Sequence, residues 1–562
     1  MKAGSLTSEE VSDGGSNESS SVGEEDDVSE DDGVITSESE SSEEEDSFGN
    51  VDPHSRFIAK NGEEWSATPI TATQGRHRKE NILKEQAGPS RFLVNQAVTP
   101  KGAFLAFITR EICTIIARHT NEEGRRKYGL NWRDTNTEEI VKYIGATLLA
   151  GVFRARFEPI RNLWDKESGR PFFAAAMSRH RFEELTSCLR FDSKEDRPER
   201  RERDKLAPIR VVCDKVAANF RAGYKAGSGY CIDEQLLAFR GRCPFKVYIP
   251  TKPSKYGIKK WIAADVETSY CLNFQVYVGK VGRLPEIGQG ARVAVELSDF
   301  MAGSGRNCTA DNFFSSLTLS RALLSRGITF VGTVRKNKTF LPPCITNTQG
   351  RNVLSSKFAF QKGCTLVSYI PKKGKNVLLM SSLHDQGYKD DSRDDQKPDI
   401  ILDYNHGKGA VDNLDKLVRT YSVVRKSRRW PMVVFGNLVD LAAYNAYVVF
   451  HAIWPDYQKN RSHRRRLFLV ALATEMMASD SQPSQYVARI PLAVDNEQKK
   501  RGRCVFCPRT LDKKTCEYCA VWQQCVSKSF SPTVLRLSIL IILYCSMGRV
   551  QCSNISACVC VY

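Results

Sequence analysis

Two cysteine pairs near the C-terminus have a spacing that suggests chemistry on its own. Cys504 and Cys507 form CVFC, Cys516 and Cys519 form CEYC, and Cys525 follows. Four thiolates from two such knuckles close the tetrahedral shell that Zn2+ prefers. KKRGR just before Cys504 suits phosphate contact or nuclear import. Farther up the chain, cations gather in two strings: Arg240, Arg242, Lys246, Lys252, Lys255, Lys259 and Lys260, then Arg425, Lys426, Arg428 and Arg429 with Trp430. Clustered cations hold phosphate, and an aromatic ring among them can stack on an unpaired or distorted base.

The chain holds 65 acidic residues, and three of them sit in distinctive strings: Asp233 in YCIDEQLLAFRGR, Asp311 in NCTADNFFSSLTLSR and Asp412 in DYNHGKGAVDNLDK. An isolated Asp usually caps a helix or faces solvent, so composition alone picks out none of them. Taken in order, the three strings closely resemble the catalytic segments of piggyBac-type DNA transposases and of the domesticated, transposable element-derived proteins related to them. The resemblance runs from about residue 92 to 525.

The resemblance implies that Asp233, Asp311 and Asp412 form a catalytic triad binding Mg2+ or Mn2+. Two carboxylates about 4 Å apart repel by roughly 4 kcal/mol at an effective dielectric near 20, so cations must compensate them if all stay ionised. Mg2+ prefers oxygen ligands and keeps water and phosphate in its shell. Two such ions can activate the attacking oxygen and stabilise the leaving one at phosphorus. Asp415, one helical turn after Asp412, is either a supporting metal contact, as the acid at this spacing is in the family, or an ordinary first-turn acid facing the helix dipole. Glu234 neighbours Asp233 but should point to the opposite strand face, and is left out of the triad. The implied reaction nicks a transposon end, turns the freed 3′-hydroxyl on the opposite strand to make a hairpin, opens the hairpin and joins at TTAA. No covalent protein nucleophile is needed.

Composition frames this reading. A length of 562 residues suggests about three or four domains, and 41% hydrophobic content suffices for globular packing. Net charge is +17, yet the first fifty residues carry 17 acids against one lysine, which leaves roughly +33 on the remainder. A body that basic expects a polyanion, most simply double-stranded DNA. The N-terminus lacks the basic and apolar segments of a secretory signal, so the expected compartment is reducing, and by resemblance it is the nucleus. Eighteen cysteines then read poorly as disulfides. The apolar run Val534 to Cys545 is about twelve residues where a membrane span needs roughly twenty, so no membrane partner is expected.

The elements that must position these groups follow from pattern. Residues 1–91 are rich in Ser, Glu, Asp and Gly and read as disordered. They suit a solubilising tail, with an acidic DNA mimic as the sharper alternative. Residues 92–228 carry apolar residues at helical spacing, with a helix start at Thr137 before Glu138 and Glu139. In the family this position holds a helical dimerisation and DNA-binding domain, which implies a homodimer. Short β-rich runs follow: CIDEQLLAF, KKWIAADVE, LNFQVYVG and, after a helix ending at Gly327, ITFVGTVR.

The resemblance makes the whole a multidomain α+β protein with an RNase H-like catalytic core, a mixed sheet with helices, split into residues 229–340 and 401–455. A polar, turn-rich insertion domain occupies 341–400, and helical spacing at 456–498 returns to the DNA-binding domain. The cysteine-rich zinc module is 499–526, and 527–562 is a divergent tail. The family module continues with further Cys and His ligands, whereas this chain has no His after His463. Ligands for one zinc site are in place; those for a second are not. The expected function is therefore a cut-and-paste transposase, the alternative a domesticated DNA-binding protein without transposition.

Overall fold

The computed structural model describes residues 56–70, 82–279, 286–390 and 392–478, with the backbone of 502–503 and 514–515. Its centre is a mixed sheet. Strand Gly229–Ala238 runs antiparallel to Tyr256–Asp265, which runs antiparallel to Cys271–Val276. On its other edge Gly229–Ala238 runs parallel to Asn307–Ala310, and that strand runs parallel to Thr329–Thr333. The parallel pair is joined through helix Leu317–Leu324, whose first turn is capped by the Ser316 side chain accepting from Leu319 N–H. The two long central strands are buried along most of their length.

Residues 341–400 read as polar and turn-rich, yet they contain three strands of the same sheet. Ser356–Gln361, Cys364–Lys372 and Lys375–Ser381 form an antiparallel meander, and the last pairs with Thr329–Thr333. Two-residue turns join them, with Gly363 at φ 79° and Gly374 at φ 78°, values that glycine adopts without a Cβ penalty. Half-buried Ser356, Lys357, Lys375 and Asn376 interrupt the apolar alternation, which hides the strand pattern in the sequence.

The expectation that the chain is unstructured through residue 91 is corrected at 56–70. Arg56–Ile58 and Glu64–Ser66 form a hairpin that extends the sheet where Ser66 pairs with Phe360. Trp65 is 1% exposed and its Nε1 donates to the Phe340 carbonyl at 2.9 Å. One buried tryptophan anchors a segment whose overall composition is polar.

Helices Arg110–Tyr128, Thr137–Val152 and Arg210–Gly223 supply the expected helical region. The cap of the second is Asn136, whose side chain accepts from Glu139 N–H at 2.9 Å; Thr137 is its first helical residue. Helix Arg464–Met477 packs back on Thr137–Val152, and a Cβ at Gly145 would lie 2.8 Å from the Met476 Cβ, so glycine permits the close approach. Helix Trp430–Ile453 is long and apolar enough to cross a membrane, but it is almost wholly buried inside the protein. Asn445 fixes it to the sheet by accepting from Cys271 N–H and donating to the Cys271 carbonyl, both at 2.9 Å.

Candidate active site

Asp233 lies in strand Gly229–Ala238, and Asp311 directly follows strand Asn307–Ala310. Ile232 and Ala310 are register partners in the parallel ladder, so the next residue on each chain puts Asp233 and Asp311 at the same level. Asp412 enters from a third element, the first turn of helix Ala410–Thr420, which packs across the Gly229 strand. Two contacts fix that crossing. Cys231 Sγ donates to the Lys408 carbonyl at 3.3 Å, and Gln235 Nε2 donates to Asp415 Oδ1 at 2.9 Å. Cys231, Asp233 and Gln235 alternate along one strand face, so these contacts bracket Asp412 over Asp233.

The electrostatics agree with this placement. Burial pushes the Asp233 carboxyl up to about 7, and the charges of Asp311 and Asp412 push the same way, against the Glu234 N–H that donates to its Oδ1 at 2.7 Å and the nearby Lys252. Burial also raises Asp311, as does the charge of Glu234, while the Phe313 N–H donating to its Oδ1 at 2.9 Å lowers it. The charge of Arg335 also acts on Asp311 and lowers it. Oxygen-only donors of this kind are the type a hard divalent ion takes. Among the described residues no three acids, histidines or cysteines gather tightly enough to form a preformed metal cage.

Both oxygens of Asp415 are engaged, Oδ1 by Gln235 and Oδ2 by Arg419 at 2.9 Å, so it ties the helix to the strand. Glu234, set aside on the strand pattern, pairs with Lys259 at 2.6 Å and with Lys252 at 3.9 Å, close enough for its charge to act on Asp311. Tyr404 went unremarked in the sequence although it stands in the Asp412 string. Burial pushes its hydroxyl up, and the charges of Asp311 and Asp233 add to that, so the ring sits beside the acids.

The two cationic strings divide. Arg240, Arg242, Lys246, Lys255, Lys426 and Arg428 are exposed, with Lys246 Nζ also donating to the Gly241 carbonyl at 3.3 Å. Three residues of the expected DNA surface are instead structural. Lys260 is 0% exposed, its Nζ donates to Asn437 Oδ1 at 2.7 Å, and burial lowers its pKa to about 8. Arg425 donates to the carbonyls of Ala155 and Glu158. Arg429 donates to the carbonyls of Thr186, Ser187 and Leu189 at the end of helix Arg179–Cys188, and burial brings it down to about 10. Trp430 is half-buried and packs edge-on against Phe245 at 5.0 Å. Cys504, Cys507, Cys516, Cys519 and Cys525 lie outside the described residues, although Gly502–Arg503 pairs antiparallel with Lys514–Thr515 just before two of them. The apolar run from Val534 also lies outside them.

Comparison with known proteins converges on one family. A family model described as transposase IS4 matches residues 99–447. Human PiggyBac transposable element-derived protein 3 is 24% identical over 456 residues, covering 75% of this chain and 74% of that protein. Human PiggyBac transposable element-derived protein 2 is 22% identical over 443 residues, covering 74% and 73%. Among solved structures, a piggyBac transposase in a synaptic complex with hairpin DNA superposes with a TM-score of 0.65 at 32% identity, over 79% of this chain and 98% of that one. The mixed sheet, its helices and these matches together show that the chain belongs to the IS4, piggyBac-type family of transposases.

Proposed function

We propose that this chain cuts and rejoins double-stranded DNA by metal-dependent phosphodiester transfer at Asp233, Asp311 and Asp412. The observation that carries the reading is the convergence of these three acids from two parallel strands and a crossing helix, with the charges of Asp311 and Asp412 acting on Asp233. Divalent ions held there, Mg2+ or Mn2+, would activate the attacking oxygen and stabilise the leaving one in an in-line displacement. The chain's own residues supply position. Glu234 N–H fixes Asp233 Oδ1, and Phe313 N–H fixes Asp311 Oδ1. Gln235 and Arg419 hold Asp415, which keeps the Asp412 helix against the strand. Arg240, Arg242, Lys246, Lys255, Lys426 and Arg428 would take the phosphate backbone.

Antiparallel strands on one side of Gly229–Ala238 and parallel strands on the other support an RNase H-like core. The solved relative is in complex with hairpin DNA, which favours DNA as the partner and a hairpin intermediate here. Joining at TTAA, a homodimer built on the helical region, a nuclear location and one zinc bound by the Cys504 to Cys525 cluster complete the proposal. The test is nicking of duplex DNA in Mg2+ or Mn2+ by the purified full chain beside its Asp311→Ala and Asp412→Ala variants. Loss in both variants supports the triad; equal nicking in all three contradicts it.

The C-terminal cysteine cluster continues without any histidine after His463, which favours a second reading as a domesticated DNA-binding protein. That reading expects duplex binding by wild type without metal-dependent nicking.

A further inference from the structure

We infer that Phe313 is a stacking platform for an unpaired base beside the phosphate undergoing transfer, with Lys259 as its fixed cationic backing. The inference rests on the proposed handling of DNA and specifies how this site recognises distorted DNA. Phe313 is two residues from Asp311, and its backbone N–H donates to Asp311 Oδ1 at 2.9 Å. The backbone that holds a catalytic carboxylate thus also sets the position of this ring. Phe313 stays 36% exposed, whereas its neighbour Phe314, edge-on to it at 5.0 Å, is 2% exposed and belongs to the core. Lys259 Nζ lies 4.7 Å from the Phe313 ring centroid.

That lysine is held in place. Glu234 pairs with it at 2.6 Å, and the Trp261 ring lies 5.5 Å from its Nζ. Arg335 Nε donates to Asn312 Oδ1 at 2.7 Å, which keeps an exposed guanidinium next to the same turn. An apolar ring with this much open surface, braced by a charge pair beside reacting carboxylates, has no core to fill. A base taken out of its stack offers an aromatic face that a ring of this kind accepts whatever the sequence. Trp430, the aromatic singled out by its cationic neighbours, is instead packed on Phe245.

The test compares two DNA probes bound by the full chain in Ca2+: a fully paired duplex, and a hairpin of the same stem with 2-aminopurine in a four-nucleotide unpaired loop. Wild type is expected to bind the hairpin more tightly and to quench the 2-aminopurine. Phe313→Ala should weaken hairpin binding by about ten-fold or more, the scale of one lost base stack, and abolish quenching with duplex affinity unchanged. Phe313→Leu keeps an apolar contact with Phe314 and should behave as Phe313→Ala, while Phe313→Trp should restore both signals. Unchanged hairpin affinity and quenching in Phe313→Leu, with normal circular dichroism, overturns the inference and leaves the DNA reading standing. Failure of wild type to bind either probe overturns the DNA reading itself, and the inference with it.

Discussion

Asp311 directly follows Ala310, the register partner of Ile232, and therefore stands level with Asp233 across the parallel strand pair. Burial and the facing charges push the Asp233 carboxyl up to about 7. Below that pH the metal-free site keeps a proton on Asp233, and a divalent ion must displace it. Mg2+ affinity should accordingly rise as pH increases through 7 and flatten above it. Calorimetry in buffers of differing ionisation enthalpy should show up to about one proton released per chain at pH 6.5 and none at pH 8.5. Asp233→Asn should show no release, and pH-independent affinity in wild type would contradict the coupling.

The division of the cations predicts which ones govern salt dependence. Replacing an exposed arginine that contacts phosphate should make the slope of log K against log salt shallower by about 0.9 per lost contact. Arg240→Ala and Arg242→Ala should behave this way. Lys260→Met and Arg429→Met should leave the slope unchanged and lower the melting temperature, because both side chains are committed to interior partners. A slope change in Lys260→Met would put that residue back on the DNA surface.

Asp440 in the core helix gives a pH signature of stability. Burial pushes its carboxyl up to about 7, although the Ser422 hydroxyl at 2.6 Å and the Val423 N–H at 2.8 Å both donate to it and pull the other way. The folded chain keeps a proton that the unfolded chain loses above about pH 4, so this group's stabilising contribution falls as pH rises from about 4 to 7. The full loss, on the order of 4 kcal/mol, is in place above pH 7. An asparagine can accept from Val423 N–H and donate to the Ser422 oxygen without charge. Asp440→Asn should melt higher than wild type at pH 8 and close to it near pH 4.

The hairpin at 56–66 depends on one side chain. Trp65→Ala should cost about 3–5 kcal/mol, as truncation of a buried tryptophan usually does, and should expose the segment to protease. Trp65→Phe keeps most of the packing but leaves the Phe340 carbonyl without its donor, at about 1–3 kcal/mol. Urea denaturation of the three proteins separates these contributions, and equal midpoints would show that the hairpin does not depend on Trp65.

Element types were legible in the sequence wherever one residue class repeats at one period. The apolar spacing of Thr137–Val152 and the β-rich runs of Gly229–Ala238 and Tyr256–Asp265 emerge as a helix and two strands. The meander at 356–381 was not legible, because its alternation is broken by polar residues and its signal rests on two glycine turns. The Trp65 hairpin was hidden for a related reason: its stability comes from Phe340, far along the chain.

The sequence alone determined the family, the three acidic strings and the cysteine spacing, since each is a local pattern readable without a partner. The tertiary structure alone decided what each charged side chain does. Lys259 and Lys260 are adjacent, yet the strand pleat sends one to Glu234 beside the acids and the other to Asn437 in the core. Arg425 and Arg429 look like Arg428 in a linear string, but loop and helix-end carbonyls more than two hundred residues earlier capture them. Phe313 and Phe314 are identical in composition, and only the turn after Asp311 exposes one and buries the other. A side chain's role depends on what packing brings to it from distant parts of the chain, and local pattern carries no record of that.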